Sequence, residues 1–118
     1  MKTIIVAEDD PHVRGMLAIA LPGFCPKRDI IFSHDGVSAF DEITQHCEHV
    51  GVLVSDTNMP NMGGVDLVKK AKEHCPGIKT ILMSGEPEAT GHSADFFFQK
   101  PVLVRDLAAK IEELMAGQ

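Results

Sequence analysis

GVLVSDTNMPNMGG, residues 51–64, is the stretch of this 118-residue sequence that decides its fold. It begins as a short apolar run rich in valine, which predicts a buried β-strand. Asp56 stands where that run ends, and a turn rich in proline and glycine follows at once. The pattern therefore predicts a carboxylate held at the rim of a sheet, where a ligand or a reactant can reach it.

Apolar runs and amphipathic stripes alternate on both sides of this stretch. Five runs predict strands, at residues 2–7, 29–33, 50–55, 78–84 and 96–99. Between most of them apolar residues recur at helical spacing, as Val13, Met16, Leu17 and Ala20 do. This alternation is typical of βαβ units and predicts an α/β fold whose parallel sheet is covered on both faces. Five strands fit the flavodoxin-like, doubly wound order 2-1-3-4-5.

Proline and glycine mark the expected helix ends. Asp10 is expected to cap the first helix, with Pro11 at its first helical position. Pro22 and Gly23 predict the end of that helix, and residues 76–77 predict the end of the third.

Composition limits the class of protein. The chain is 44% hydrophobic and 24% charged, which is ordinary for a single globular domain. No run approaches the ~20 apolar residues of a membrane span, and no signal peptide opens the chain, so a cytoplasmic location is expected. A net charge of −6 argues against nonspecific nucleic-acid binding, and we expect no nucleic-acid or membrane partner.

The three cysteines, Cys25, Cys47 and Cys75, lack the spacing of a metal or redox motif. In a cytoplasmic protein they are expected to be reduced and partly buried rather than bonded to one another.

Acidic residues follow two of the predicted strands. Glu8 and Asp9 follow the first, and Asp56 ends the third. In the 2-1-3-4-5 order these strands are neighbours, at the switch point where such sheets bind ligands. Carboxylates that repel one another favour a hard cation such as Mg²⁺, whereas no histidine and cysteine set stands beside them to favour zinc. A plainer interpretation stays open, because acids after a strand often cap the next helix.

Ser84 and Lys100 end the fourth and fifth predicted strands, at the same edge of the sheet. A carboxylate such as Asp56 can act as a nucleophile and form an acyl phosphate. Phosphoryl transfer depends mainly on positioning and on neutralising charge. Lys100 could supply positive charge beside that of Mg²⁺, and the Ser84 hydroxyl could donate to a phosphoryl oxygen.

Together these residues resemble the receiver domain of bacterial two-component response regulators, of the single-domain chemotaxis type. The resemblance rests on Glu8-Asp9, the run DTNMP at 56–60, Gly63-Gly64, Ser84-Gly85 and Lys100-Pro101, in that order and spacing. It covers essentially the whole chain, so residues 1–118 are expected to form one receiver domain. It implies that Asp56 accepts a phosphoryl group from the phosphohistidine of a histidine kinase or phosphotransfer protein.

The resemblance also implies a ligand set for Mg²⁺. Asp9 and Asp56 would ligate the ion directly together with the backbone carbonyl of Asn58, and Glu8 would act mainly through a metal-bound water. Lys100 would contact the phosphoryl group and would be joined to Pro101 by a cis bond.

Further positions correspond to the switching and decay machinery of the family. Ser84 takes the place of the switch hydroxyl and Phe97 that of the switch aromatic. Asn58 and Glu86 stand where the family modulates loss of the phosphoryl group, which implies a short-lived phosphorylated state. The expected output is contact with a downstream protein.

The sequence departs from the family between Ser84 and Lys100, which stand too close for a full helix with two loops. Residues 86–95 carry no apolar stripe and contain Pro87 and Gly91, so the fourth helix of the family is expected to be shortened or missing. At least one ring of the phenylalanine strand, residues 96–98, is then expected to be exposed. Such a surface would suit an unusual partner or a homodimer.

Several alternatives stay open at this point. The chain could be a phosphate sink or relay, a receiver cut from a hybrid kinase, or an interaction module that needs no phosphorylation. A haloacid-dehalogenase-type phosphatase also uses an aspartate at a strand end, but it expects a second acid at position 58, where this chain has asparagine. We therefore expect a signalling protein rather than an enzyme, one that takes part in its own phosphotransfer and autodephosphorylation.

Overall fold

The computed structural model describes residues 2–88 and 90–116. Within them lie five strands, β1 (Thr3–Ala7), β2 (Asp29–Ser33), β3 (Val50–Asp56), β4 (Lys79–Ser84) and β5 (Phe96–Gln99). The helices are α1 (Pro11–Phe24), α2 (Gly36–Gln45), α3 (Gly64–His74) and α4 (Val104–Ala116). No helix in these residues is long and apolar enough to cross a membrane.

The strands form one parallel sheet in the order β2-β1-β3-β4-β5, which confirms the predicted fold. Strand β1 is flanked by β2 and β3, so Ile5 pairs with Ile31 on one side and Leu53 on the other. Because all five strands run in the same direction, their carboxyl ends meet at one edge of the sheet.

Each face of the sheet has its own apolar core. The α1 and α4 face buries a cluster that includes Ile4, Val6, Leu21, Ile81 and Ile111. The α2 and α3 face buries a second cluster that includes Ile5, Ile43, Leu53, Leu67 and Leu82. Successive residues of β1 thus point to opposite cores, as the twofold period of a strand requires.

Helix α1 begins as predicted and ends later than predicted. The Asp10 side chain accepts from the backbone N–H of His12 at 2.8 Å, so Asp10 is the N-cap. The expectation that Pro22 and Gly23 end the helix is wrong, since it continues to Phe24 with Pro22 inside. Pro22 lies in the last turn, and the buried Leu21 beside it still accepts a hydrogen bond from the backbone N–H of Cys25 at 3.1 Å.

The β4–β5 connection, residues 85–95, contains no helix in its described residues, 85–88 and 90–95. Its end is fixed by Asp95, whose carboxylate accepts from the Thr80 backbone N–H at 2.8 Å and from Lys72 Nζ at 2.9 Å. Burial alone would raise the pKa of Asp95, but the bonds from Lys72 and Thr80 lower it below its usual value. The prediction that the fourth helix of the family is shortened or missing is therefore confirmed for the described residues, and the Asp95 clasp (the bonds of Asp95 to Thr80 of β4 and Lys72 of α3) holds the end of the connection.

The expectation of an exposed phenylalanine ring is wrong, because Phe96, Phe97 and Phe98 are all partly buried. Phe96 and Phe98 meet edge to face at 4.9 Å between ring centroids, and Lys110 Nζ lies 4.1 Å above the Phe96 ring. Phe97 stacks on the His92 ring at 6.0 Å. Thus α4 shields one side of β5, and His92 of the connection contacts the ring on the other.

The cysteines differ from expectation in one respect. Cys47 and Cys75 form a disulfide with a Cα–Cα distance of 5.7 Å, although they are 28 residues apart in sequence. The bond is possible because α2 and α3 pack side by side and end together. Cys25 is a free, buried thiol, and burial and then the charge of Glu112 raise its pKa to about 11.

Gly64 lets α3 start against the end of β3. Its N–H donates to the Thr57 carbonyl at 2.8 Å, and a Cβ added to it would overlap the Asp56 carbonyl oxygen. The same Cβ would also lie 3.0 Å from Leu82 Cδ2. Any larger residue must therefore push the helix away from the strand that carries Asp56.

We predict that Gly64→Ala lowers the free energy of unfolding by about 2–3 kcal/mol, because overpacking a buried site forces the backbone to shift. Denaturant unfolding followed by circular dichroism measures this. The matched control is Gly23→Ala, where a Cβ meets no atom within 4 Å and a helical alanine is favoured by up to about 1 kcal/mol. Equal stability of Gly64→Ala and the wild type would contradict the packing account.

Candidate functional site

The carboxyl edge of the sheet gathers the polar residues that the sequence singled out. Glu8 directly follows β1, Asp56 ends β3, Ser84 ends β4 and Lys100 directly follows β5. These strands lie side by side in the sheet, so residues far apart in sequence meet at one site.

Three carboxylates form the centre of this site. One oxygen from each of Glu8, Asp9 and Asp56 lies within 4.8 Å of the others. Glu8 is fully buried, the Asp56 side chain is 13% exposed, and Asp9 is exposed. Charged oxygens this close repel one another in a partly dry environment, and a hard divalent cation would relieve that repulsion. The donor set, carboxylate oxygens without sulfur or imidazole, fits Mg²⁺.

Lys100 is the positive charge of the site. Its Nζ lies 3.0 Å from Glu8 Oε1 and 3.3 Å from Asp56 Oδ1. Burial opposes the charged ammonium, but the two carboxylates outweigh that effect and raise the pKa of Lys100 above its usual value. The bond from Lys100 to Pro101 is cis, as expected. Lys100 therefore bridges the buried acid and the acid that ends β3.

Asp56 is an unusual carboxylate in this setting. Burial, followed by the charge of Glu8, raises its pKa to about 6, although Lys100 acts in the opposite direction. A raised pKa indicates that the anion lacks full compensation from the protein alone. Additional positive charge at the cluster would therefore favour the ionised, nucleophilic form.

Ser84 is buried at the end of β4, next to this cluster in the sheet. Its Oγ accepts a hydrogen bond from the Glu86 backbone N–H at 3.0 Å. The Ser84 carbonyl accepts from the Lys100 backbone N–H at 2.7 Å. The hydroxyl thus holds the start of the β4–β5 connection in its present form.

The remaining candidates lie around the site rather than in its centre. Asn58 and Glu86 are exposed on the loops that follow β3 and β4. Phe97 pairs with Leu82 in the sheet register, two residues before Ser84, and stacks on His92. The structure therefore brings together Glu8, Asp9, Asp56, Ser84 and Lys100, and leaves Asn58, Glu86 and Phe97 on surrounding elements.

The sequence did not single out the residues that brace the two acidic loops. Asn61, at φ 70°, donates from Nδ2 to Asp35 Oδ2 at 3.1 Å and so ties the loop after β3 to the N-cap of α2. Arg14 Nη1 donates to the Glu8 carbonyl at 2.9 Å. The asparagine that follows Pro60 could have indicated a left-handed turn residue, because asparagine tolerates that conformation. Nothing in the sequence indicated that Arg14 would bind the Glu8 carbonyl.

Comparison with known proteins agrees with this geometry. The profile of the response regulator receiver domain matches residues 4–112. The response regulator receiver protein CpdR of Brucella abortus is 30% identical over 98% of both chains. A chemotaxis protein CheY homolog of Campylobacter jejuni is 33% identical, over 95% of this chain and 91% of its own.

Solved structures share the fold. A response regulator receiver domain protein from Clostridium thermocellum superposes with a TM-score of 0.89 at 20% identity, over 99% of this chain and 96% of that one. The receiver domain of the hybrid histidine kinase CckA gives a TM-score of 0.80 at 26% identity, over 96% and 98% of the two chains. With a profile match over most of its length and two relatives that cover nearly all of it, the chain belongs to the response regulator receiver domain family.

Proposed function

We propose that this protein is a stand-alone receiver that accepts a phosphoryl group on Asp56 from a histidine kinase or phosphotransfer protein, with Mg²⁺ as cofactor. The observation that carries the proposal is the placement of Asp56, whose carboxylate lies 3.3 Å from Lys100 Nζ and within 4.8 Å of an oxygen of each of Glu8 and Asp9. The cytoplasmic location expected from the sequence stays a prediction.

The proposed reaction is a transfer between two protein side chains. An Asp56 carboxylate oxygen attacks the phosphorus of the donor phosphohistidine, the N–P bond breaks, and the imidazole leaves with the electron pair. The product is an acyl phosphate on Asp56. Asp9, Asp56 and the Asn58 backbone carbonyl would hold Mg²⁺, with Glu8 acting through a bound water. When bound, the ion supplies positive charge that offsets the charge of the transferring group.

Lys100 has a role both before and after the phosphoryl transfer. Before transfer it pairs with Glu8 and Asp56 and keeps the two acids close. After transfer its ammonium can turn to a phosphoryl oxygen, since a phosphoryl group carries more charge than the carboxylate it modifies. The raised pKa of Lys100 keeps it fully charged at neutral pH.

The proposed switch begins at Ser84. Its hydroxyl now accepts a hydrogen bond from the Glu86 N–H, and a phosphoryl oxygen on Asp56 would give it a second partner. Turning the hydroxyl toward that oxygen would pull on the β4–β5 connection. Phe97 would respond through His92, the residue of the connection that stacks on its ring. A two-state change of this kind needs only a few kcal/mol.

Surface chemistry supports output through contact with another protein. Met16 and Leu103 are 50% and 59% exposed. Met16 also lines a cavity of about 360 Å³, together with other apolar residues and Lys100. Exposed apolar surface that borders a functional site often marks a partner site. A homodimer through β5 is less well supported, because the three phenylalanine rings are half-buried.

We predict that the wild type, incubated with Mg²⁺ and a small-molecule phosphodonor, gains the mass of one phosphoryl group, and that Asp56→Asn does not. An amide oxygen cannot form the acyl phosphate. Intact-mass spectrometry measures the gain, and chelation of Mg²⁺ should abolish it. A wild type that never gains the mass would favour an interaction module that needs no phosphorylation.

The pKa of Asp56 gives a second test. The folded pKa of Asp56, about 6, exceeds the ordinary 3.8, so the folded state is stabilised when Asp56 is protonated. This stabilisation is fully present below pH 3.8 and is lost as pH rises through about 6. The metal-free protein should therefore lose about 2 kcal/mol across this window, after allowance for solvent screening. Asp56→Asn should remove that loss.

Two NMR measurements follow the same carboxyl group directly. Its ¹³C resonance should titrate near pH 6 without Mg²⁺ and at lower pH with Mg²⁺, because the cation favours the anion. Lys100→Met should move the metal-free titration to higher pH. An Asp56 resonance that Mg²⁺ leaves unmoved would argue against a cation at this cluster.

Asn58 and Glu86 are expected to tune the lifetime of the phosphorylated state, since both are exposed beside the site and can orient an attacking water. The double variant Asn58→Arg, Glu86→Arg should lose its phosphoryl group about tenfold more slowly, a barrier increase of about 1.4 kcal/mol. Decay is followed by intact mass after removal of the donor. Unchanged decay would exclude this role, and Thr90→Arg, farther along the connection, is the control.

A further inference from the structure

Arg14 extends from the start of α1 back to the turn that carries two of the three carboxylates. Its Nη1 donates to the Glu8 carbonyl oxygen at 2.9 Å and lies 3.5 Å from the Asp9 carbonyl oxygen. Both acceptors are backbone atoms, so Arg14 neutralises neither carboxylate by direct pairing. The first bond has ordinary hydrogen-bond length and the second is long.

Most of this turn has other partners that fix it. The Glu8 N–H donates to the Ser33 carbonyl at 3.0 Å, and the Glu8 carboxylate pairs with Lys100 and accepts from the Asp10 N–H at 3.2 Å. Asp10 in turn caps α1. Asp9 is different, because its carboxylate has no hydrogen-bond partner among residues 2–88 and 90–116.

The position of the Asp9 side chain therefore depends on the backbone on either side of it. The Glu8 carbonyl belongs to the peptide unit that precedes the Asp9 Cα, and the Asp9 carbonyl belongs to the unit that follows. One guanidinium nitrogen thus contacts both peptide units. Holding both planes restricts φ and ψ of Asp9, and these two angles set the direction of its Cβ.

We infer that Arg14 is a positioning residue for the cation site: it fixes the backbone of Asp9 so that the Asp9 carboxylate stays turned toward Asp56. The inference rests on the proposed function, since it assumes that a divalent cation binds at the cluster. Outer residues that orient metal ligands commonly affect metal affinity in this way.

Positioning and charge predict opposite effects here, which makes the role testable. Arg14 carries a positive charge close to a site for a cation, so electrostatics alone predicts that removing it strengthens Mg²⁺ binding. Positioning predicts that removing it weakens binding, because Asp9 then samples orientations that do not face Asp56.

The experiment is titration of purified, unphosphorylated protein with Mg²⁺ by calorimetry. Arg14→Met should bind about tenfold more weakly, at the lower end of the ~10–100-fold range of such changes. Arg14→Lys keeps a donor on a side chain that is one atom shorter and lacks the planar guanidinium, so it should lie between Arg14→Met and the wild type. The matched control is Arg105→Met on α4, which removes the same charge from a side chain that is 74% exposed.

Two further measurements separate positioning from loss of fold. Thermal unfolding shows whether each variant remains folded at the titration temperature. In the metal-free state, the amide resonances of Asp9 and Asp10 should shift in Arg14→Met and stay in place in Arg105→Met. If Arg14→Met does not fold, the comparison rests on Arg14→Lys, which should still bind more weakly than the wild type.

The outcomes are distinct. Tighter or unchanged Mg²⁺ binding by a folded Arg14 variant would overturn the inference and leave the proposed function intact. Wild-type protein that binds no Mg²⁺ would instead overturn the cation site itself, and with it both proposals.

Discussion

Repulsion among three carboxylates at one edge of the sheet is the constraint on which the rest of the structure depends. Glu8 is fully buried and Asp56 is partly buried, yet the ammonium group of Lys100 pairs with both. Buried charges are tolerated only when they are paired or bind cations. The raised pKa of Asp56 shows that the balance is incomplete. An imbalance of this kind supports the proposal that the site binds a cation and then accepts a phosphoryl group.

The fold maintains this imbalance because the acids sit on rigid supports. Each is carried by a strand, or by the turn directly after one, and each of these strands is packed between two cores. Relaxation by moving apart would break β1 from β3, which share the centre of the sheet. Gly64 adds to the rigidity, since its missing side chain lets α3 pack directly on the Asp56 carbonyl.

Much of this could be predicted from the sequence, because strand periodicity and strand ends are local signals. Apolar runs predicted the five strands, and their alternation with helices fitted the doubly wound strand order. The acids at the strand ends then predicted the cluster of Glu8, Asp9 and Asp56. Contacts that join distant segments were not predictable in this way. Arg14 binds carbonyl oxygens, which every residue possesses, and Cys47 meets Cys75 only because α2 and α3 end together. The predicted end of α1 at Pro22 was wrong because a tertiary contact again decided the outcome. Packing of Leu21 in the core outweighed the local helix-breaking tendency of proline.

The β4–β5 connection determines which conformational change can follow from a change at Ser84. A helix transmits a displacement, because it moves as one body. This connection is instead tied at one end by the bond between the Glu86 N–H and Ser84, and at the other by the Asp95 clasp. Breaking one of these attachments increases the number of conformations open to the residues of the connection, whereas strengthening it decreases that number. Under the proposed function, phosphorylation of Asp56 would therefore change the conformational entropy of this connection rather than move a rigid element.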